Sequence, residues 1–247
     1  MRTSGRCRHA VTMTGLAPIV LVHGGWHGGW CWRRVAGPLR AAGREVHTPT
    51  LTGLGDRAHL SGPGVGLATH VQDVVALLEC EDLRDVVLVG HSSSGAVITG
   101  VAQKAPERIG ALWYLDAFVP GPGSSVLDLL SPPRRAHFES LVRNGAIVLE
   151  PESAMDGWAV RDPADRRWLG PLLCPHPFGG LADPLPDRPV PPLPLTYVHC
   201  TDKPGGDSFA ATAEAMRADP AARVHVLDTG HDAMVTAHAD VVRLLLG

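Results

Sequence analysis

A serine lies in a tight turn between an apolar segment and a segment that favours a helix. The turn is 90–95, GHSSSG, and Ser92 stands near its centre. Four apolar residues at 86–89 predict a buried strand before the turn, and 96–104 is predicted to be helical after it. A serine hydroxyl becomes an effective nucleophile only with a general base and with donors that hold the resulting oxyanion. We therefore predict that Ser92 is a nucleophile; the alternative is a serine-rich turn without chemistry.

The residues around Ser92 are small, as a strained turn requires. Bulky side chains on either side would collide with a backbone that bends sharply at the serine. The common pattern for such a turn is G-x-S-x-G, whereas this chain has Ser94 in the fifth place and Gly95 one step later. Because serine is also a small residue, the prediction for Ser92 stands.

A glycine-rich turn and a late histidine are the other segments that could do chemistry. The stretch 23–32, HGGWHGGWCW, follows the predicted strand 18–22, and its glycines let the backbone come close to a substrate. His23 and His27 are four residues apart, but the turn holds too many glycines to form one helix face, so we predict no metal site. His231 follows the last predicted strand and is the candidate general base.

These residues must be positioned by strands that alternate with helices. The predicted strands are 18–22, 45–47, 86–89, 111–116, 195–200 and 223–227. Such alternation is typical of a parallel sheet with right-handed crossovers. It stops over 119–192, a segment rich in Pro and Trp, which we predict to be a cap inserted over the site. The predicted domains are a core of 15–118 and 193–247, this cap, and a disordered extension at 1–14, with Met13 as a candidate start.

The bulk composition argues against several classes of protein. The chain has 247 residues, 45% of them hydrophobic, and a net charge of −3, so we expect neither nucleic acid nor a membrane as a partner. No apolar run approaches the ~20 residues of a membrane span, and the basic N-terminus lacks the apolar core of a secretory signal. Five scattered cysteines without metal-ligand spacing predict a cytoplasmic protein with reduced thiols. The composition leaves the oligomeric state open.

The order of these segments resembles one family of serine hydrolases. Glycine-rich turn, serine turn, acid and late histidine follow one another as in the α/β-hydrolases, where the serine turn is the nucleophile elbow. The chain is similar to the methylesterase and hydroxynitrile-lyase branch, which includes plant salicylate methylesterases and many bacterial esterases. The resemblance rests on the segments 23–32, 90–92, 117–120, 200–203 and 230–234. It implies an α/β fold with a mostly parallel central sheet flanked by helices, and a mainly helical cap inserted after the sixth strand.

The resemblance leaves two candidates for the triad acid. Plant members place it after the strand that ends at Cys200, but this chain is one residue short there. Asp202 therefore fits only with a gap, and without a gap Lys203 takes the place. Haloalkane dehalogenases of the same fold use a carboxylate after the preceding strand, where Asp116 lies. We prefer Asp116 and keep Asp202 as the alternative, because either loop could orient His231.

The oxyanion hole also follows from the resemblance. The N–H groups of Gly25 and Ser93 would hold the oxyanion. The residues predicted to line the pocket are Gly24, Trp26, Trp158 and Phe118.

Two departures from the family favour ester hydrolysis over cyanohydrin cleavage. The lyases carry a Lys directly after the catalytic His, where this chain has Asp232, and a Thr where it has Gly24. We predict a carboxylic ester hydrolase that cleaves a small or medium apolar ester through acyl-Ser92, with no metal and no organic cofactor. One alternative is a natural-product enzyme that uses the triad for lactone opening, cyclisation or elimination. The other is a non-catalytic ligand receptor.

Overall fold

The structure, a computed structural model, describes residues 16–247. The predicted disorder of 1–14 and the candidate start at Met13 lie outside these residues. The strands are β1 (Ile19–Val22), β2 (Val46–His47), β3 (Val86–His91), β4 (Ile109–Leu115), β5 (Val142–Arg143), β6 (Ala146–Ile147), β7 (His176–Pro177), β8 (Leu195–Cys200) and β9 (Ala222–Leu227). The α-helices are α1 (Arg33–Ala41), α2 (Leu67–Cys80), α3 (Ser94–Lys104), α4 (Pro132–Ser140), α5 (Pro151–Gly157), α6 (Pro163–Leu169), α7 (Gly179–Ala182), α8 (Ala210–Ala218), α9 (Ala233–Thr236) and α10 (His238–Leu246). Short 3-10 turns lie at Gly29–Trp32, Gly55–Leu60, Pro106–Arg108, Leu127–Leu129 and Gly170–Leu172.

The main sheet is parallel throughout, with the strand order β2-β1-β3-β4-β8-β9. The chain moves outward from β1 to β2, then returns to β3 on the other side of β1. The topological switch point therefore lies between β1 and β3, and open α/β sheets bind ligands beyond the carboxyl ends of the strands at this point. Val22 pairs with Gly90 in the register of these two strands. That pairing brings the glycine-rich turn after β1 beside the serine turn after β3.

Helices cover both faces of the sheet, which confirms the predicted α/β architecture. Helices α2 and α3 pack on one face, and α1 and α10 pack on the other. Consecutive residues of β3 point to opposite faces, so Leu88 joins one core cluster and Val89 joins the other. A strand buried on both faces has no solvent side, and this explains the unbroken apolar run at 86–89.

Residues 119–192, the predicted cap, hold four helices and a small sheet. Helices α4 to α7 lie in this segment, together with an antiparallel sheet in the order β5-β6-β7. The Trp26 indole N–H donates to the carbonyl of Ile147 at 3.1 Å, so the glycine-rich turn is bonded directly to this small sheet. The cap boundaries themselves stay a prediction.

The predicted position of the insertion, after the sixth strand, is wrong for the residues that the structure describes. Between residue 16 and the insertion the chain contributes four strands, β1 to β4, to the main sheet. The remaining two strands of that sheet, β8 and β9, come after the insertion. Across residues 16–247, no helix has both the length and the apolar character needed to cross a membrane.

Candidate active site

Ser92 lies at the sharp turn between β3 and α3. Its φ of 55° is in the left-handed region, which a residue with a side chain rarely adopts. Two hydrogen bonds hold this turn: the Ser92 N–H donates to Leu115 O at 3.3 Å, and the Phe118 N–H donates to Ser92 O at 3.0 Å. The end of the neighbouring strand β4 thus stabilises the strained backbone of the serine.

Each small residue of the turn is explained by its own surroundings. A Cβ at Gly90 would lie 2.7 Å from the carbonyl oxygen of Ser94, and a Cβ at Gly95 would lie 1.9 Å from that of Phe118. Both positions therefore require glycine. Position 94 has room for a serine, whose hydroxyl donates to the carbonyl of His23. The departure from G-x-S-x-G consequently adds a bond between the serine turn and the glycine-rich turn.

Ser92, His231 and Asp116 form a continuous hydrogen-bonded chain. His231 Nε2 lies 2.9 Å from Ser92 Oγ, and His231 Nδ1 lies 2.5 Å from Asp116 Oδ2. All three residues are buried. A carboxylate can only accept, so it selects the tautomer in which Nδ1 carries the proton and Nε2 accepts from the serine hydroxyl. This arrangement can remove the proton of Ser92 as the serine attacks an electrophile.

Asp202 is held away from His231. Its carboxylate pairs with the guanidinium of Arg161, with one N–O distance of 2.8 Å, and its N–H donates to Thr229 O at 3.0 Å. Asp116 follows β4, which lies beside β8 in the sheet, and its side chain extends to the imidazole instead. The structure therefore brings Asp116, and not the alternative Asp202, to His231.

The Asp116 carboxylate is fully buried and has three donors. Besides His231, the backbone N–H of Cys200 donates to Oδ1 at 3.1 Å, and the ammonium of Lys203 donates to Oδ2 at 2.6 Å. Burial alone would raise the pKa of Asp116, but the bond to His231 and the charge of Lys203 hold that pKa below its ordinary value. Asp116 is thus an anion at neutral pH.

The two N–H groups predicted for the oxyanion hole belong to neighbouring turns. A Cβ at Gly25 would lie 3.4 Å from Ser93 Oγ, so the two turns are in contact. Within residues 16–247, neither the Gly25 N–H nor the Ser93 N–H donates to a protein acceptor. Ser93 also precedes the first residue of α3, where the helix dipole favours negative charge. These donors are suited to hold an oxyanion that forms beside Ser92.

Three further buried side chains surround the back of His231. His27 Nε2 lies 3.2 Å from Asp232 Oδ2, and His91 Nε2 donates to the carbonyl of His231 at 3.0 Å. Burial alone would lower the pKa of His27, but the charge of Asp232 raises it above its ordinary value. Burial opposes the charged form of Asp232, yet His27 lowers the pKa of Asp232 to about 2. His27 and Asp232 are therefore an ion pair, whereas burial lowers the pKa of His91 to about 3 and keeps it neutral.

A cavity of about 550 Å³, including its open mouth, lies over Ser92 and His231. Trp26, Trp158 and Phe118 line it, as the sequence predicted. Gly24 does not: a Cβ there would lie 2.8 Å from the Cβ of Ser92, so this glycine packs behind the serine. Close packing behind the serine requires this glycine, and its place in the substrate pocket stays a prediction.

A family sequence model described as "Alpha/beta hydrolase family" matches residues 19–244. The match covers almost the whole chain, from β1 into α10. The chain belongs to the alpha/beta hydrolase family. The strand–turn–helix around Ser92 and the histidine after the last strand are features that this family shares.

Curated relatives of this alpha/beta hydrolase family member are named as esterases and hydrolases. It is 58% identical over 115 residues to the "Carbendazim hydrolyzing esterase" of Nocardioides sp. (strain SG-4G), a match that covers 47% of this chain and 48% of that protein. It is 39% identical over 108 residues to the "Pyrethroid hydrolase" of Sphingobium wenxiniae, covering 42% and 37%. It is 32% identical over 113 residues to "Putative methylesterase 14, chloroplastic" of Arabidopsis thaliana, covering 45% and 32%. The matched part thus spans about half the length of these relatives, or less.

Solved structures of the family extend the similarity over nearly the whole chain. An extracellular alpha/beta-hydrolase from a Paenibacillus species superimposes with a TM-score of 0.83 at 26% identity, covering 94% of this chain and 98% of that one. The methylesterase protein MES16 from Arabidopsis superimposes with a TM-score of 0.73 at 26% identity, with the same coverage. These matches confirm both the fold and the resemblance to the methylesterase branch.

Several residues of the site in this family member carried too little signal to be chosen from the sequence. Leu181 of the cap lines the cavity, as do Phe209 and Lys203 beside the imidazole. Phe209 stacks on His231 with ring centroids 5.0 Å apart and planes at 13°. A lone aromatic at the start of a helix gives no local sign of such a role. The sequence did point to Lys203, because this lysine aligns with the triad acid of the plant members when no gap is introduced.

One group of potential metal ligands occurs in the described residues of the chain. Ligand atoms of His91, His231 and Asp232 lie within 4.8 Å of one another. Both nitrogens of His231 already contact Asp116 and Ser92, so only His91 Nδ1 and Asp232 Oδ1 lack a partner. Two free ligand atoms are fewer than the three protein ligands of a usual catalytic zinc site. We interpret the group as part of the hydrogen-bond network.

Proposed function

We propose that this chain is a serine hydrolase that cleaves a small or medium apolar carboxylic ester. One observation carries the proposal: His231 contacts Ser92 through Nε2 and Asp116 through Nδ1, beneath a cavity that Ser92 and His231 both line. A nucleophile, its base and an orienting acid are the parts that acyl transfer requires.

In the proposed acylation step, Ser92 Oγ attacks the ester carbonyl carbon while His231 Nε2 takes the hydroxyl proton. The carbonyl oxygen becomes an oxyanion that accepts hydrogen bonds from the N–H groups of Gly25 and Ser93. Asp116 stabilises the imidazolium that forms. His231 then gives its proton to the leaving alkoxide, so that the alcohol departs and an acyl-Ser92 ester remains.

Deacylation reverses these roles with water in place of the alcohol. His231 removes a proton from a water molecule, which attacks the acyl-Ser92 carbonyl, and the same two N–H groups hold the second oxyanion. His231 returns the proton to Ser92 Oγ as the carboxylic acid leaves. The cycle needs neither a metal nor an organic cofactor, so we expect dialysis against EDTA to leave the activity unchanged.

The lining of the cavity supports an apolar substrate of limited size. Five Phe and Trp residues, Trp26, Phe118, Phe138, Trp158 and Phe209, contribute to it, and stacking at 5.7 Å joins Trp26 to Phe138. Such walls favour apolar acyl or alcohol groups through burial of their surface. The names of two relatives, a carbendazim-hydrolyzing esterase and a pyrethroid hydrolase, support the same kind of small ester-like substrate.

The cysteines support the cytoplasm as the proposed location. Within residues 16–247 the cysteines Cys31, Cys80, Cys174 and Cys200 form no disulfide with one another, and two of them are buried. Free thiols are typical of a reducing compartment. Recovery of the protein in the cytoplasmic fraction of its native host would support this location, and recovery outside the cell would contradict it.

The decisive experiment combines ester hydrolysis with covalent labelling. We expect wild type to hydrolyse p-nitrophenyl esters between acetate and decanoate, and a fluorophosphonate probe to label Ser92. Ser92→Ala should lose both reactions, whereas Ser93→Ala, which leaves the backbone N–H in place, should keep the labelling. Carbendazim and a pyrethroid ester belong in the same panel.

The pattern of failure separates the competing functions. Labelling of Ser92 without turnover of any ester would favour lactone opening, cyclisation or elimination by the same triad. No labelling and no turnover would favour a ligand receptor on a hydrolase scaffold. Either result contradicts the proposed ester hydrolysis.

A further inference from the structure

Lys203 is a buried cation within the site. It follows β8, and its side chain is only 7% exposed. Its ammonium donates to Asp116 Oδ2 at 2.6 Å and to the carbonyl of Cys200 at 2.6 Å. A lysine is almost never buried unless it is paired, so its position depends on the Asp116 carboxylate.

Lys203 and His231 share one oxygen of that carboxylate. Asp116 Oδ2 accepts from His231 Nδ1 at 2.5 Å as well as from the ammonium. The two nitrogens are therefore within about 5 Å of each other, a separation at which charges interact strongly in a poorly solvated site. If His231 accepts a proton, its positive charge is repelled by the nearby ammonium of Lys203.

Phe209 covers one face of the imidazole and lies beside the ammonium, and both of these side chains are less than a tenth exposed. Its ring lies 5.2 Å from the Lys203 ammonium and stacks on His231 with the centroids 5.0 Å apart. Exclusion of water lowers the effective dielectric constant, so the charge of Lys203 acts on His231 with little screening.

We propose, on the basis of the proposed ester hydrolysis, that Lys203 is a positioning residue that holds Asp116 in place and opposes protonation of His231. Its ammonium anchors the carboxylate through the same oxygen that contacts the imidazole. The same positive charge keeps His231 neutral, and so able to act as a base, at lower pH than Asp116 alone would permit.

Two other titratable groups around His231 are neutral, so neither of them offsets the positive charge of Lys203. His91, at the end of β3, is 4.6 Å from His231 between ring centroids, and burial lowers its pKa to about 3. The Cys200 thiol, at the end of β8, has its pKa raised by burial and remains protonated.

Arg134 of the cap lines the same cavity, and the charged groups that follow the core strands around His231 are balanced only with Lys203 present. Asp116 after β4 and Asp232 after β9 are anions, whereas His27 after β1 and Lys203 after β8 are cations. Removal of the ammonium leaves one net negative charge around the imidazole. The imidazolium is then favoured, so a neutral residue at 203 must move protonation of His231 to higher pH.

The experiment is the pH dependence of kcat/KM for p-nitrophenyl acetate. For Lys203→Met we expect the acidic limb to move upward by about one pH unit or more. Lys203→Gln, which keeps a neutral N–H donor for Asp116, should show the same shift. Lys203→Arg retains the charge and should keep the wild-type limb. Lys104→Met is the matched control, since Lys104 is the other lysine of the chain and is exposed.

An equal loss of activity at every pH, with the acidic limb unmoved, would show that Lys203 is only a packing element. An unshifted limb in Lys203→Gln would overturn the proposal even if Lys203→Met failed to fold. Thermal unfolding of each variant establishes which of them are folded.

A second readout does not depend on turnover. The His231 imidazole can be titrated by NMR in protein carrying ¹³C-labelled histidine, with His231→Gln to identify its signal. We expect the midpoint to rise in Lys203→Met and Lys203→Gln and to stay near wild type in Lys203→Arg. If wild type hydrolyses no ester, the proposed function fails, but this titration still decides the role of Lys203.

Discussion

His27 and Asp232 form a buried ion pair although 205 residues separate them in sequence. His27 Nε2 lies 3.2 Å from Asp232 Oδ2, and neither side chain is more than 1% exposed. The other nitrogen of His27 lies 2.7 Å from the carbonyl of Gly25, and Asp232 directly follows His231. The pair therefore ties the loop of the proposed oxyanion donor to the loop of the proposed base.

We expect the loss of one partner to destabilise the fold strongly. Asp232→Ala leaves the His27 imidazolium buried without a counter-charge, which should reduce the free energy of unfolding by about 3–5 kcal/mol. Urea unfolding measures this change. Asp240→Ala is the control, since Asp240 pairs with Arg243 on the exposed face of α10. Similar losses in both variants would contradict a special role for the buried pair.

The same pair should make stability depend on pH. The raised pKa of His27 stabilises the fold below the ordinary value of 6.5, and this contribution is lost as pH rises through the raised value. Asp232, with its pKa near 2, stabilises the fold above its ordinary value of 3.8, and this contribution is lost as pH falls below that value. The difference in Tm between wild type and Asp232→Asn should therefore be largest between pH about 4 and 6.5. A constant difference from pH 3 to 9 would argue against an ion pair.

The two candidate acids should differ sharply in their effect on catalysis. Asp116→Asn removes the anion that orients His231 and stabilises its cation, so we expect kcat to fall by about 10⁴-fold. Asp202→Asn disrupts an exposed pair with Arg161 and should change kcat by no more than about twofold. Steady-state kinetics on p-nitrophenyl esters provide the comparison. The reverse order of effects would transfer the role to Asp202.

The serine turn should tolerate a change at 94 but not at 95. Gly95→Ala places a Cβ against the carbonyl of Phe118 and should cost about 1–3 kcal/mol or more. Ser94→Gly loses one buried hydrogen bond to His23, worth about 1 kcal/mol, and restores the common G-x-S-x-G pattern. Gly64→Ala, in open space on a surface loop, is the control and should stay within about 0.5 kcal/mol of wild type. Equal stability of Gly95→Ala and wild type would contradict the steric argument.

The preference for acyl length should respond to the cap. Phe138 of α4 lines the cavity and stacks on Trp26, so Phe138→Ala should admit longer acyl chains. We expect the ratio of kcat/KM for decanoate over acetate to rise about tenfold, the scale of a one-methylene change in an apolar pocket. The exposed neighbour His137 provides the control variant His137→Ala. An unchanged ratio in Phe138→Ala would place the acyl group elsewhere in the cavity.

Local patterns in the sequence were sufficient to predict the sheet and the serine turn. The run 86–89 is apolar at every position because helices cover both faces of β3, and this kind of burial can be read from four residues. The turn at Ser92 was readable for a similar reason, since sterically required glycines at 90 and 95 flank a strained serine within six residues. The order of the segments along the chain then indicated the family.

The choice between Asp116 and Asp202 required the tertiary structure. Both follow strands at the same edge of the sheet, and neither has a sequence neighbour that reveals the direction of its side chain. Contacts with distant residues decide it: Asp202 meets Arg161 of the cap, whereas Asp116 meets His231. Pairing across the fold depends on the packing of separate elements, and a local pattern holds no information about it.

The sequence by itself thus determined the parallel sheet and the candidate nucleophile, because burial and backbone strain act over a few neighbouring residues. Only the tertiary structure decided which charges meet around the imidazole. The pair of His27 with Asp232 and the cation of Lys203 beside Asp116 join residues far apart in the chain. Their interaction depends on distance in space and on exclusion of water, and folding alone sets both.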